Sequence, residues 1–223
     1  MTRVRWLEVG ASLTLALLVF ALVGQWFRRE RLGRELESAV LTQRLDQVRR
    51  LLAAGADPNR TLADGRTLLY ESLLNRDPEL PLLLIRGGAK VNAPDSGGTT
   101  PLIRAAEHEH PGFTPVVAEL LSRGANPRAR DQRGRTPLRN AYRPRIIELL
   151  LQHGADANER YERGQTWLMT AKAHATPEII RILLAHGAQV NLRDEQGKTA
   201  LTYFRFGPGA KQRAALIAAG AVE

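Results

Sequence analysis

Three short stretches carry residue types and spacings that could do chemistry. Asp95-Ser96-Gly97-Gly98 sets a hydroxyl between an acid and two glycines, as around an activated serine nucleophile. Such a serine needs a base and an orienting acid held in geometry, and no strand pattern around it supplies them. Gly197-Lys198-Thr199 has the form of the end of a phosphate-binding loop, but the glycine required five residues before Gly197 is Leu192. Glu107-His108-Glu109-His110 alternates carboxylates and imidazoles, the donor types that hold borderline metals. With no remote ligand to complete the set, it reads as a solvated polar loop. His153 and His186 each precede a Gly-Ala pair and suit helix C-termini, where an imidazolium complements the dipole. No catalytic set, metal site or cofactor site emerges, and the chain reads as a non-enzyme.

A denser signal is cationic. From Arg123 to Arg145 stand eight arginines (Arg123, Arg128, Arg130, Arg133, Arg135, Arg139, Arg143 and Arg145) against the single acid Asp131. Guanidinium forks suit carboxylates and phosphates, so the stretch could contact an acidic protein, anionic lipid or nucleic acid; the plain alternative is a solvated face.

The elements that must position these residues follow from the whole chain. In 223 residues, 43% are hydrophobic and only 5% aromatic, which provides a core of aliphatic side chains and favours helix over sheet. There is no cysteine, so disulfides and thiolate metal sites are excluded. The net charge is +9, of which +6 falls from Glu30 onward, where 28 basic residues face 22 acidic ones. That moderate excess favours anionic partners without bearing on fold.

Val9 to Phe27 is an uncharged run of nineteen residues between Glu8 and Arg28. As a helix it would reach roughly 28 Å at ~1.5 Å per residue, enough to span a hydrocarbon core. Trp6 and Trp26 sit near its ends with arginines on both flanks, as at membrane interfaces. It exceeds the apolar region of a signal peptide and lacks a small-x-small cleavage site, so an uncleaved single-pass anchor is expected over residues 1–29. Arg28, Arg29, Arg31 and Arg34 after the run favour a cytoplasmic C-terminal domain, although Arg3 and Arg5 leave the opposite orientation open.

From Glu35 the texture becomes that of short amphipathic helices: Leu36, Ala39 and Val40 mark one face of the first, and Asp46 is the expected N-cap of a second carrying Val48, Leu51 and Leu52. Gly-Ala pairs then begin at Gly55, Gly88, Gly124, Gly154, Gly187 and Gly220, spaced 33, 36, 30, 33 and 33. Ten residues after each of the first five comes a second glycine (Gly65, Gly98, Gly134, Gly164, Gly197), followed two residues later by threonine (Thr67, Thr100, Thr136, Thr166, Thr199). The connecting hairpin therefore keeps one length. The changes in period are a three-residue insertion near Glu107 to Phe113 and a three-residue deletion near Tyr142 to Pro144, both between helices. Asp77-Pro78, Thr114-Pro115 and Thr176-Pro177 are expected to start second helices. Helices of about eight residues fall below the ~12 to 15 that persist alone, so the units must stack.

Thr100-Pro101-Leu102, Thr136-Pro137-Leu138, the leucine-rich Glu148-Leu149-Leu150-Leu151, and Gly-Ala-Asp-x-Asn at Gly55 and Gly154 together resemble the ankyrin repeat family over about residues 35–223. The resemblance implies an all-α solenoid of helix pairs joined by β-hairpin-like loops: a capping pair at about 35–57, then units at about 58–90, 91–126, 127–156, 157–189 and 190–223. It also implies protein binding on the concave surface. By phase that surface comprises the tip residues Arg66, Arg133, Arg135, Glu162, Arg163, Gln165, Glu195, Gln196 and Lys198, with Asn75, His108 and His174 on the helix side. The histidine common after Thr-Pro-Leu is here Tyr70, Ile103, Arg139, Met169 or Thr202. The expectation is a membrane-tethered scaffold for a protein partner, acidic if it meets the arginine stretch. The alternative is anionic-lipid or nucleic-acid binding by Arg123–Arg145.

Overall fold

A computed structural model describes the backbone of residues 3–170, 176–204 and 210–222, with side chains from residue 18 onward. Twelve helices are described: α1 (Arg3–Leu41), α2 (Leu45–Ala53), α3 (Leu68–Ser72), α4 (Glu79–Arg86), α5 (Pro101–Ala106), α6 (Phe113–Ser122), α7 (Pro137–Asn140), α8 (Pro144–Gln152), α9 (Trp167–Thr170), α10 (Pro177–Ala185), α11 (Ala200–Tyr203) and α12 (Ala210–Ala218). They pair in order, and each pair packs on the next, α5 against α7 and α6 against α8. The result is an all-helical solenoid. Its core is one apolar cluster running from Leu32 and Leu36 through Leu84, Leu120 and Leu150 to Leu216.

The period follows from local needs at two positions. Each second helix ends in a Gly-Ala pair whose glycine takes positive φ, +85° at Gly55 and +96° at Gly154, closing the helix in a conformation that costs other residues energy. The threonine hydroxyls of Thr67, Thr100 and Thr136 accept hydrogen bonds from the amides of Tyr70, Ile103 and Arg139 and so cap the first helices.

The hairpins between units are turns rather than strands: among the described residues only the isolated bridge Thr61–Thr67 has β pairing. Asp95, Asp131 and Asp194 fold three tips by accepting two amide hydrogen bonds each, for instance from Arg133 and Arg135 at 2.9 and 2.8 Å. Neighbouring tips bond directly, the Gln132 amide to the Gly97 carbonyl and the Glu195 amide to the Arg163 carbonyl, both at 3.0 Å. At the turn bases, Asn59, Asn92, Asn158 and Asn191 each donate to the glycine carbonyl of the next Gly-Ala turn and accept an amide from that same turn, stitching successive turns together.

Two expectations change. Asp46 is not an N-cap: α2 starts at Leu45 behind Arg44, which makes no side-chain cap, and Asp46 sits in the first turn, where its charge suits the dipole. Thr114-Pro115 does not start α6, which begins at Phe113; the insertion lengthens that helix at its N-terminus, where proline still displaces no intrahelical bond. By contrast Thr176-Pro177 does open α10, with the Thr176 hydroxyl accepting from the Ile179 amide. The membrane span expected over Val9–Phe27 falls in part outside the described side chains, and among the described residues no helix is long and apolar enough to cross a membrane.

Candidate partner-binding surface

The tips predicted from phase lie in register along one edge of the solenoid, with different degrees of freedom. Arg133, Arg163 and Glu195 are exposed. Arg66 is tied to Asp64 at 2.6 Å and Glu71 at 2.8 Å. Gln165 donates to the Tyr203 hydroxyl at 2.6 Å, and that hydroxyl donates to Asp194 at 2.5 Å, joining the fourth tip to the fifth. Lys198 donates to Gln196 and lies over the Tyr203 ring. Glu162 is exposed and faces Arg139 at 3.7 Å.

On the helix side, Asn75 accepts from Gln43 at 3.0 Å. His108 is half-buried, stacked on Phe113 with ring centroids 3.6 Å apart, and its Nε2 stands 2.6 Å from the Leu73 carbonyl. Burial holds its imidazole below the usual histidine value, against the pull of the Leu73 carbonyl. His174 lies outside the described residues.

Glu107, read from sequence as part of a solvated polar loop, is instead the centre of a network. Its carboxylate accepts from Arg104 at 2.8 Å, from Arg135 at 3.1 Å and from Asn140 at 2.5 Å. Among the described residues no group of three or more His, Asp or Glu is placed to hold a metal. A cleft of about 610 Å³ opens beside this network, lined by Leu74, Arg76, Arg104, His108 and His110 among others.

The arginine stretch is dispersed by the fold. Arg123 pairs with Glu119, Arg130 with Glu159, Arg135 with Asp131 and Glu107, Arg139 with Glu162, and Arg145 with Glu148. Arg128 and Arg143 bond the carbonyls of Gly154 and Glu109. Arg133 alone of the eight projects without an ion pair or side-chain hydrogen bond among the described residues. What sequence reasoning missed is a second register: Arg130, Arg160 and Arg193 occupy the same place in three successive hairpins, each donating to its own tip-glycine carbonyl at 3.3, 2.8 and 2.6 Å. The signal was available in their common offset of four residues before Gly134, Gly164 and Gly197.

One polar knot lies inside. Burial raises Glu159 above the usual carboxylate value despite the Thr136 hydroxyl at 2.8 Å and Arg130 at 2.6 Å. Burial likewise pushes the Tyr161 phenol up, beneath the Arg139 guanidinium. Tyr161 stands where three of the other four tips have aspartate and the first has Leu62, and Arg163 in that tip adopts φ of +58°.

A model of ankyrin repeats in three copies matches residues 36–131 and 138–204. The chain belongs to the ankyrin repeat family. It is similar to Protein PhlB of Serratia liquefaciens, 36% identical over 114 residues that make up 49% of each chain, and to the B-cell lymphoma 3 protein homolog of Mus musculus, 32% identical over 61% of this chain. The matches span about half of the first relative and a third of the second. Among solved structures, the ankyrin repeat domain of Bcl-3 aligns with a TM-score of 0.66 and 29% identity, covering 82% of this chain and 81% of that one. An ankyrin repeat domain from Acinetobacter baumannii gives 0.72 at 24% identity, with 84% and 98% coverage, a likeness of fold. Ankyrin repeat domains are typically protein–protein interaction modules and generally not enzymes.

Proposed function

We propose that the chain is a membrane-tethered scaffold that binds a protein partner on its concave ankyrin surface. The observation that carries binding is the row of tips exposed at the end: Asp131 folds the third tip through two amides while Arg133 projects into solvent, Asp194 folds the fifth in the same way beneath the exposed Glu195, and Arg163 is exposed on the tip between them. Rigid presentation lowers the ordering cost of association, and arginine is among the residues that anchor interfaces. Asn75, His108 and Gln196 would border the same contact.

Support for the tether comes from α1. Leu18, Phe20, Leu22, Trp26 and Phe27 are each at least 60% exposed on a helix that continues past the solenoid, an apolar girdle that water disfavours. The excess of arginine after the run favours a cytoplasmic solenoid.

The test uses the full chain recovered with membranes and photo-crosslinked from position 195, another exposed tip residue. A partner captured by the native chain and lost on Arg133→Glu with Arg163→Glu supports the reading; equal capture by both forms overturns it. Arg135, which the sequence ranked with Arg133, is a poor choice because its guanidinium holds Asp131 and Glu107.

A further inference from the structure

The anchor helix and the first helix of the solenoid are one element. α1 runs from Arg3 to Leu41 without a break, so no linker separates the apolar girdle from the buried face at Leu32, Leu36 and Val40. From Phe27 to Leu32 a helix rises only about 7.5 Å at ~1.5 Å per residue. The stripe that packs inside the solenoid, Gly33 and Leu36, continues outward at helical spacing through Arg29, Trp26 and Leu22. Because α2 packs back along α1 through the short Thr42–Arg44 connection, the turn that ends α2 is brought beside this outward stripe.

There, Leu22, Trp26, Arg28 and Arg29 of α1 line a cleft of about 450 Å³ with Ala54 and Gly55 of that turn. Its outer half is apolar and its inner half cationic, and no acidic side chain lines it. Neither Arg28 nor Arg29 forms an ion pair among the described residues, whereas Arg31 and Arg34 face Glu35 and Glu30. Gln25 adds an amide, and Ala54 is exposed.

We infer that this cleft seats an anionic phospholipid, its phosphate against Arg28 and Arg29 and its upper acyl chain along Leu22 and Trp26, and that the turn edge of the first unit therefore lies in the headgroup layer. The inference rests on the tether reading. Arginine forks match phosphate oxygens, and a tryptophan with one apolar and one polar side suits the interface. A rigid helical connection then fixes the height and tilt of the solenoid instead of leaving it on a flexible leash, with Thr42 about 22 Å farther out by the same rise of ~1.5 Å per residue.

The absence of native cysteine permits single labels in the full chain. Ala54→Cys and Thr42→Cys, each spin-labelled, are reconstituted in nanodiscs of phosphatidylcholine with or without phosphatidylglycerol, and accessibility to a water-soluble nickel chelate is measured. The expected result is several-fold lower accessibility at position 54 than at 42, decreasing further with phosphatidylglycerol; Arg28→Gln with Arg29→Gln abolishes that further decrease. A chain that stays in the aqueous fraction overturns the tether reading and this inference with it. A chain embedded in the discs whose two labels are equally accessible, or whose position 54 is indifferent to phosphatidylglycerol, overturns this inference alone. Equal protection of position 54 by oligonucleotide without lipid assigns the cleft to nucleic acid and overturns it as well.

Discussion

Arg60 crosses α1 at Gly33. A Cβ on Gly33 would stand 3.2 Å from the guanidinium Nη1, and the side chain uses that gap to reach Glu37 at 2.8 Å on one side and Glu30 at 3.3 Å on the other. Hydrogen bonds donated to these two carboxylates, Glu37 first, hold the Arg60 guanidinium above its ordinary value. Two carboxylates seven residues apart lie on one face of a helix, and one arginine from the first hairpin ties both.

Arg60→Ala is therefore expected to lower stability by about 1 kcal/mol, since the pairs are about 30% exposed and partly screened. The loss should shrink in high salt. Gly33→Leu should act similarly by displacing the guanidinium, whereas Gly33→Ala meets only the end of a flexible side chain and gains up to ~1 kcal/mol of helix propensity. Urea unfolding of the three variants at two ionic strengths separates these outcomes; a Gly33→Ala variant as weak as Gly33→Leu would contradict the account.

Thr100 caps α5 through its hydroxyl and the Ile103 amide at 3.3 Å in a buried setting. Thr100→Ala should cost about 1 kcal/mol, and Thr100→Ser should recover most of it by keeping the oxygen. A serine variant no more stable than the alanine variant, in chemical denaturation, would show that the methyl and not the cap matters.

The repeat was legible because glycine at a left-handed turn and threonine at a cap answer needs within a few residues of each position, and both recur in phase. What escaped was partnership across units. The acids that pair with the arginine run, Glu107, Glu119, Glu148, Glu159 and Glu162, all lie outside the window in which Asp131 was its only counter-charge. Glu107 read as part of a solvated loop because its neighbours in sequence are polar, yet two of its partners, Arg135 and Asn140, come from the next unit. Asp46 failed as a cap because α2 begins one residue earlier, behind a three-residue connection too short to leave Asp46 outside the helix.

Acid sensitivity should centre on the tip aspartates. Burial opposes ionisation of Asp131, but the Arg135 amide and guanidinium and the Arg133 amide outweigh it and hold the carboxyl below the usual 3.8. A folded-state value below the unfolded one means that the contribution is full above that usual value and is lost as the pH falls through the folded value. Stability followed by denaturant titration should thus decline more steeply below about pH 4 in the native chain than in Asp131→Asn, which cannot take up that proton. Parallel slopes for the two would remove Asp131 from the acid response.

Arg128 stands in the asparagine ladder that joins successive units. Asn59, Asn92, Asn158 and Asn191 both donate to a glycine carbonyl and accept an amide in the next Gly-Ala turn, but arginine has no acceptor. Arg128 keeps the first half, donating to the Gly154 carbonyl, and leaves the Asp156 amide to solvent. The join between the turns that follow α6 and α8 therefore has one rung fewer than its neighbours, in the unit that also holds the shortened connection. Arg128→Asn should supply it and raise stability by about 0.5–1.5 kcal/mol, the net worth of one intramolecular hydrogen bond. The gain should appear as slower amide exchange at Asp156 and along α8, with exchange at Lys90 and in α4 unchanged. If α8 and α4 respond alike, the ladder is not a local coupling between units; if neither does, solvent already serves the Asp156 amide as well as an asparagine would.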